Sequence, residues 1–224
     1  MSLDRALQAF THELASKLKL YDELQADLDR QTSRRLNAFA VLQPNELQLS
    51  KVLGDLLDPA GTHGQGDELL LSFLQTVNCP HLTIEGRARI AYEVPTTRID
   101  AYRRSLDLVV DLGRSALAIE NKPFATEQPE QLQDYVAYLE ARHQQNWCLV
   151  YLTPNGEPPS SLDPAEAHRL RHAGFLLEIS YRMDIATWLL RSAALSQSEK
   201  ACTFLNDLHT YVCATFSTQG AEEL

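Results

Sequence analysis

SLDLVVDLGRSALAIENK, residues 105–122, is the stretch on which the fold turns. Leu106, Leu108, Val110 and Leu112 alternate with Asp107, Val109 and Asp111, a period of two that belongs to a strand. SALAIEN (115–121) repeats the alternation after Gly113-Arg114, and a two-residue loop with glycine first is a hairpin signal. With Leu112 opposite Ser115, the register carried back along the pair sets Asp107 across from Glu120. Alternation then assigns Leu106, Leu108, Val110 and Leu112 to one face with Leu117, Ile119 and Asn121. Asp107, Val109 and Asp111 take the other face with Ala118, Glu120 and Lys122. Opposed Cβ atoms lie about 5 Å apart, so facing carboxylates repel unless a cation or a proton sits between them. The arrangement costs stability, which points to a use for it.

Outward from the hairpin, ARIAYEV (88–94) reads as a preceding strand. PEQLQDYVAYLEARH (129–143) reads as a following helix with Leu132, Val136 and Leu139 on one stripe and Gln131 in line with Tyr135. NWCLVYLT (146–153) is an apolar run of strand length, and strand, helix, strand in that order implies a parallel pair. Asp163-Pro164 opens another helix, FLLEIS (175–180) is a last strand, and DIATWLLRSAAL and SEKACTFLNDLHTYVCATF give two C-terminal helices. Upstream, Asn45 caps a helix through ELQLSKVLGDLL that stops at Asp58-Pro59 and carries Glu46 at the head of its buried stripe. That Glu46 either faces water at the helix N-terminus or needs a partner. The loop GTHGQGD (61–67) leads into a short helix, ELLLSFLQTV. The whole is an α/β chain.

At the N-terminus, Leu3, Leu7, Phe10, Leu14, Tyr21, Leu24 and Leu28 make one stripe on a long helix, with Lys17 in the only mismatched slot, and RQTSRR (30–35) ends it. A helix packed on its own domain is the commoner cause of such a stripe; the other is a coiled-coil arm, through which the chain would form a homodimer.

With 224 residues, 44% of them hydrophobic, the chain suffices for one domain with a helical appendage. Neither a membrane-spanning run nor an apolar leader is present in the sequence, which predicts a cytoplasmic protein without a membrane partner. Cys79, Cys148, Cys202 and Cys213 are dispersed and read as reduced thiols; structural zinc is unsupported. The net charge of −10 excludes a general polyanion binder, so any nucleic-acid site must be local. Residues 87–104 hold five arginines against Glu93 and Asp100, and Arg98, Arg103 and Arg104, nearest the hairpin, are the candidate phosphate contacts.

Two hard carboxylates on adjacent strands suit Mg²⁺, with Mn²⁺ as a substitute, because that ion takes oxygen ligands and keeps waters beside a substrate phosphate. Lys122, on the face of Glu120, is placed to orient or help deprotonate a nucleophilic water. Composition alone would supply an acid-x-Lys triplet about 0.7 times in this chain. The triplet gains meaning from Asp107 in register across the hairpin.

Asp107, a gap of twelve residues, then Glu120-Asn121-Lys122 resembles the signature of the PD-(D/E)XK nuclease superfamily. LLDPAGTHGQGDELLLSFL (56–74), LAIENKPFATEQPEQLQDYVAYLE (117–140) and ISYRMDIATWLL (179–190) are similar to a bacterial branch of it. Leu106 stands where the signature has proline, and Asp100 is a competing acid should the register differ. The resemblance implies a restriction-endonuclease-like α-β-β-β-α-β core, with a mixed central sheet of about four to five strands flanked by helices. It implies residues 36–190 as the nuclease-like domain, 1–35 as an N-terminal helical extension, and 191–224 as a C-terminal helix packed on the core. By that resemblance Asp107 and Glu120 bind the metal, Lys122 assists the attack, and Glu46 and Gln131 point into the site, Glu46 with the metal ligands and Gln131 with the catalytic set. The expected activity is Mg²⁺-dependent hydrolysis of phosphodiesters, in DNA. Its rival is a non-catalytic interaction or regulatory protein that keeps the fold.

Overall fold

The structure, a computed structural model, describes residues 3–33, 35–79, 82–96, 104–124 and 131–217. Two compact units divide the chain, residues 1–41 and 42–224. The first is dominated by α1 (Leu3–Thr32), 30 residues long. Pairs one turn apart, Glu13 with Lys17 and Asp27 with Arg30, lace its surface. Leu7, Phe10, Leu14, Tyr21 and Leu24 are exposed along it. A short α2 (Ala38–Leu42) follows.

In the second unit, α3 (Glu46–Leu57) and α4 (Glu68–Val77) precede a hairpin-connected run of β1 (Arg89–Thr96), β2 (Arg104–Asp111) and β3 (Ala116–Asn121). Then come α5 (Gln131–His143), β4 (Trp147–Thr153), α6 (Pro164–His172) and β5 (Leu176–Ser180). A π turn (Tyr181–Ile185) leads into α7 (Ala186–Leu195), and α8 (Glu199–Phe216) ends the unit. The five strands lie in sequence order, β1-β2-β3-β4-β5. The first three are antiparallel, and β3, β4 and β5 are parallel, so the sheet is mixed and flanked by helices. All residues of β3 and β4 are buried, as expected of strands covered on both faces.

The hairpin register is the expected one: Leu108 pairs with Ile119, Val110 with Leu117, and the Leu112 amide donates to the Ser115 carbonyl. Gly113 takes φ +99°, where a side chain is strained, and a Cβ there would also lie 2.5 Å from the Glu85 carbonyl oxygen. One face of the sheet packs on α5 and α6 through Ala116, Ala118, Leu132, Tyr135, Leu139 and Leu170. On the remaining helices, α3 lies against β1 and β2, while α7 packs between α4 and α8. The Trp188 indole there donates to the Leu69 carbonyl.

The sorting of faces fails at one residue. Leu106 joins Val109 and Ala118 in the α5 and α6 core, rather than lining up with Leu108 and Val110. Strict alternation breaks beside Asp107: β1 pairs Tyr92 with Leu108 and Val94 with Leu106 but leaves Glu93, at φ +47°, out of the ladder. Among the described residues no helix is long and apolar enough to cross a membrane.

Candidate active site

Three elements converge where β2 and β3 part. Past the Leu108–Ile119 pair the backbone ladder stops. Asp107 Oδ2 accepts the Asn121 amide there at 2.8 Å, so a side chain serves a donor that a regular ladder would give to a carbonyl. Asp107 thus stands where the alternation breaks, with its carboxylate on the β3 backbone. Glu120, beyond that point on β3, is fully buried. Its Oε1 accepts from Lys122 Nζ at 2.7 Å and from Gln131 Nε2 at 2.6 Å, while its buried Oε2 has no hydrogen-bond partner.

From the other side comes α3. Asn45 accepts the Gln48 amide while the Gln48 side chain accepts the Asn45 amide, a reciprocal cap that fixes the first turn. Glu46 in that turn reaches Lys122 Nζ at 3.1 Å. The ammonium thus lies among three carboxylates, with Asp107 Oδ2 the farthest at 4.0 Å. Of the two readings of Glu46, the partnered one holds. On α5, Gln131 also donates to Tyr135 Oη at 2.8 Å, and Tyr135 donates to the Ser105 carbonyl of β2, so the amide that touches Glu120 is itself held.

Charge and burial compete here. Burial, then the Asp107 charge, pushes the Glu120 carboxyl up to about 8, against the pull of Lys122. Burial likewise raises Asp107, more than Lys122 and the Asn121 amide lower it. For Lys122, burial disfavours the ammonium, but Glu120, Asp107 and Glu46 together outweigh it and raise the pKa. Lys122 is therefore a fixed cation near neutral pH.

The structure brings together Asp107, Glu120, Lys122, Gln131 and Glu46. It does not bring Arg104 to an open surface: its side chain is largely buried in an ion pair with Asp134 of α5. That departs from the expected exposed phosphate contact, because β2 carries Arg104 alongside the start of α5. Arg98, Arg103 and the competing Asp100 lie outside the described residues.

Sequence reasoning missed the reverse side of the motif. Asn121 Nδ2 donates to Ser50 Oγ of α3 at 2.9 Å, Ser50 Oγ donates to the Glu46 carbonyl, and Tyr181 Oη donates to Asn121 Oδ1 at 2.8 Å. The middle residue of Glu-x-Lys thereby ties β3 to the helix that carries Glu46. A polar residue ending a wholly buried strand, and Ser50 one turn after Glu46, were the available signals.

Among the described residues no cluster of three His, Cys, Asp or Glu has a ready metal-holding geometry. A divalent cation nevertheless fits the donor chemistry: the acidic side chains that converge around Lys122 offer hard carboxylate oxygens, and Glu120 Oε2 is buried without a hydrogen-bond partner. No curated protein and no solved structure matches the chain. The sequence model of the PD-(D/E)XK nuclease superfamily does, over residues 36–207, from just before α2 to the middle of α8. The mixed five-strand sheet is consistent with that match, which covers most of the chain, and the chain belongs to the PD-(D/E)XK nuclease superfamily.

Proposed function

We propose that the protein is a Mg²⁺-dependent nuclease that hydrolyses phosphodiester bonds in DNA. The observation that carries this is the Lys122 ammonium held among Asp107, Glu120 and Glu46 at the open end of the β2–β3 pair. Asp107 and Glu120 are the metal ligands, with Glu46 beside them. When bound, the ion supplies charge stabilisation and a more acidic water. Lys122, charged near neutral pH, orients the attacking water and offsets negative charge at phosphorus, rather than accepting the water's proton. Gln131 holds the Glu120 carboxylate from its Oε1 side and leaves Oε2 to the ligand. In the reaction a water oxygen bonds to phosphorus, one ester P–O bond breaks, and the proton the water gives up balances the one the leaving oxygen takes from solvent to become a hydroxyl, so that diester and water yield a monoester and an alcohol.

Plasmid, linear duplex, single-stranded DNA and RNA incubated with Mg²⁺ or Mn²⁺ test this reading. Chelator-sensitive cleavage of DNA is expected. Equal cleavage by wild type and Glu120→Ala would mean contamination and sink the assignment. An intact substrate set would favour the interaction-protein reading, which the net charge of −10 suits.

Asp107→Asn keeps an oxygen for the Asn121 amide and removes one of the crowded charges. In chelator it should melt at or above the wild-type temperature, and it should lose the rise in melting temperature that Mn²⁺ gives wild type. Melting far below wild type would make Asp107 a structural partner only.

With Arg104 committed to Asp134, phosphate contact falls to Arg98 and Arg103. Replacing both with Ala in a Glu120→Gln background should weaken DNA binding for every sequence and flatten its salt dependence. An unchanged salt slope by fluorescence anisotropy would remove them from the interface.

The exposed apolar residues of α1 repeat at heptad spacing and suit a second copy of the chain, giving a homodimer. Leu7→Glu with Leu14→Glu should then lower the mass measured by sedimentation; a wild type already monomeric at high micromolar concentration would exclude it.

A further inference from the structure

Cys79 and Cys148 are 69 residues apart in sequence, yet their Sγ atoms stand 3.3 Å apart. Cys79 follows the C-terminus of α4, whose last turn ends in Asn78 in the left-handed conformation. Cys148 lies on β4 beside Leu117 of β3, three residues before Glu120. The two thiols differ in access. Cys148 is fully buried, while Cys79, 5% exposed, borders an open hollow of about 480 Å³ lined by Leu71, Leu74, Leu82 and Ile84. Burial pushes the Cys148 thiol well up, so it stays protonated and does not itself attract an oxidant. The other two cysteines cannot imitate this pair. Cys202 and Cys213 are both on α8, eleven residues apart, which is about 16 Å of helix rise and beyond any disulfide.

We propose that Cys79 and Cys148 form a peroxide-driven disulfide inside the nuclease domain, a modification site separate from the carboxylate centre. Hydrogen peroxide enters the hollow, the Cys79 sulfur attacks one peroxide oxygen, the O–O bond breaks, and water leaves with a Cys79 sulfenic acid formed. The Cys148 sulfur then attacks the Cys79 sulfur; the S–S bond forms, the S–O bond breaks, and the hydroxyl leaves as water with the Cys148 proton. Overall, two thiols and one peroxide give one disulfide and two waters. The link joins the end of α4 to a central strand and closes a long loop, which restricts the unfolded chain.

The full chain, reduced and then treated with a small molar excess of hydrogen peroxide, is alkylated after unfolding, digested and read by mass spectrometry. A single cross-linked peptide pair carrying Cys79 and Cys148, lighter by two hydrogens, is expected. So is a rise of several degrees in melting temperature that dithiothreitol reverses. Cys148→Ser should instead accumulate a dimedone-trapped sulfenic acid on Cys79. Should that variant fail to fold, Cys79→Ser must leave Cys148 reduced and without a dimedone adduct. Both thiols fully alkylated after oxidation, or Cys79 driven to sulfinic acid while Cys148 stays reduced, would overturn the proposal. Neither readout depends on nuclease activity.

Discussion

Glu120→Gln should abolish cleavage and, in chelator, flatten the pH dependence of stability between about pH 5 and pH 8. The glutamine keeps the volume and an oxygen for Gln131 and Lys122, so the β2–β3 opening should hold its shape. It removes the charge that the proposed ion needs, and loss of a ligand that touches the reacting centre costs orders of magnitude in rate. The stability effect follows from linkage. The Glu120 carboxyl rises from an ordinary 4.5 to about 8 in the folded protein, so between those values the native state holds a proton that the unfolded chain has released. Wild type should therefore lose stability as pH climbs through that window, by a few kcal/mol for so deeply buried a group. Below 4.5 both states are protonated and the difference vanishes. Urea melts at half-unit pH steps, wild type against Glu120→Gln, isolate this group. Parallel curves across the window would show that Glu120 is already ionised in the fold and that Lys122 dominates it.

Lys122→Met should be the most destabilising substitution in the site, by about 3–5 kcal/mol near neutral pH in chelator, the scale for removing one partner of a buried ionic group. Methionine fills similar space, so the loss would reflect charge and hydrogen bonding: Asp107 and Glu46 would be left without their shared cation, and Glu120, which burial and Asp107 already push toward its protonated form, would lose the Lys122 donor on Oε1. Two further outcomes distinguish this from a packing defect. The deficit should shrink as pH falls, because protonated carboxyls no longer repel. Millimolar Mn²⁺ should restore more stability to Lys122→Met than it adds to wild type, while cleavage stays lost. A variant within 1 kcal/mol of wild type in guanidinium melts would mean that the carboxylates shed their charge without help.

Much of this centre was legible in the sequence because two short-range signals intersect. Gly113-Arg114 sets the register, and the register sets Asp107 against Glu120 with Lys122 beside it. Helix periodicity and the Asn45 cap likewise placed Glu46 at the head of α3. Illegible were the features that depend on broken regularity or distant packing. Period-two reasoning cannot see Glu93 leave the ladder, so it put Leu106 on the wrong face. Arg104 looked like a free surface charge because Asp134, its partner, is thirty residues away on another element. Asn121 looked like a spacer because Ser50 and Tyr181 reach it from 71 and 60 residues off. The thiol pair was hidden for the same reason.

The left-handed Glu93 has a bearing on how this chain behaves in a crowded solution. β1 is an outer strand of the sheet, and outer strands present unpaired amides and carbonyls on which a stray chain can template itself. On β1 that template is spoiled twice within three residues: Glu93 bends the backbone out of extended geometry, and Pro95 has no amide to offer. Arg89 adds a solvated charge near the other end. The irregularity opposite Asp107 is thus a guard against fibril-like growth along that margin, and straightening it would open β1 to such pairing.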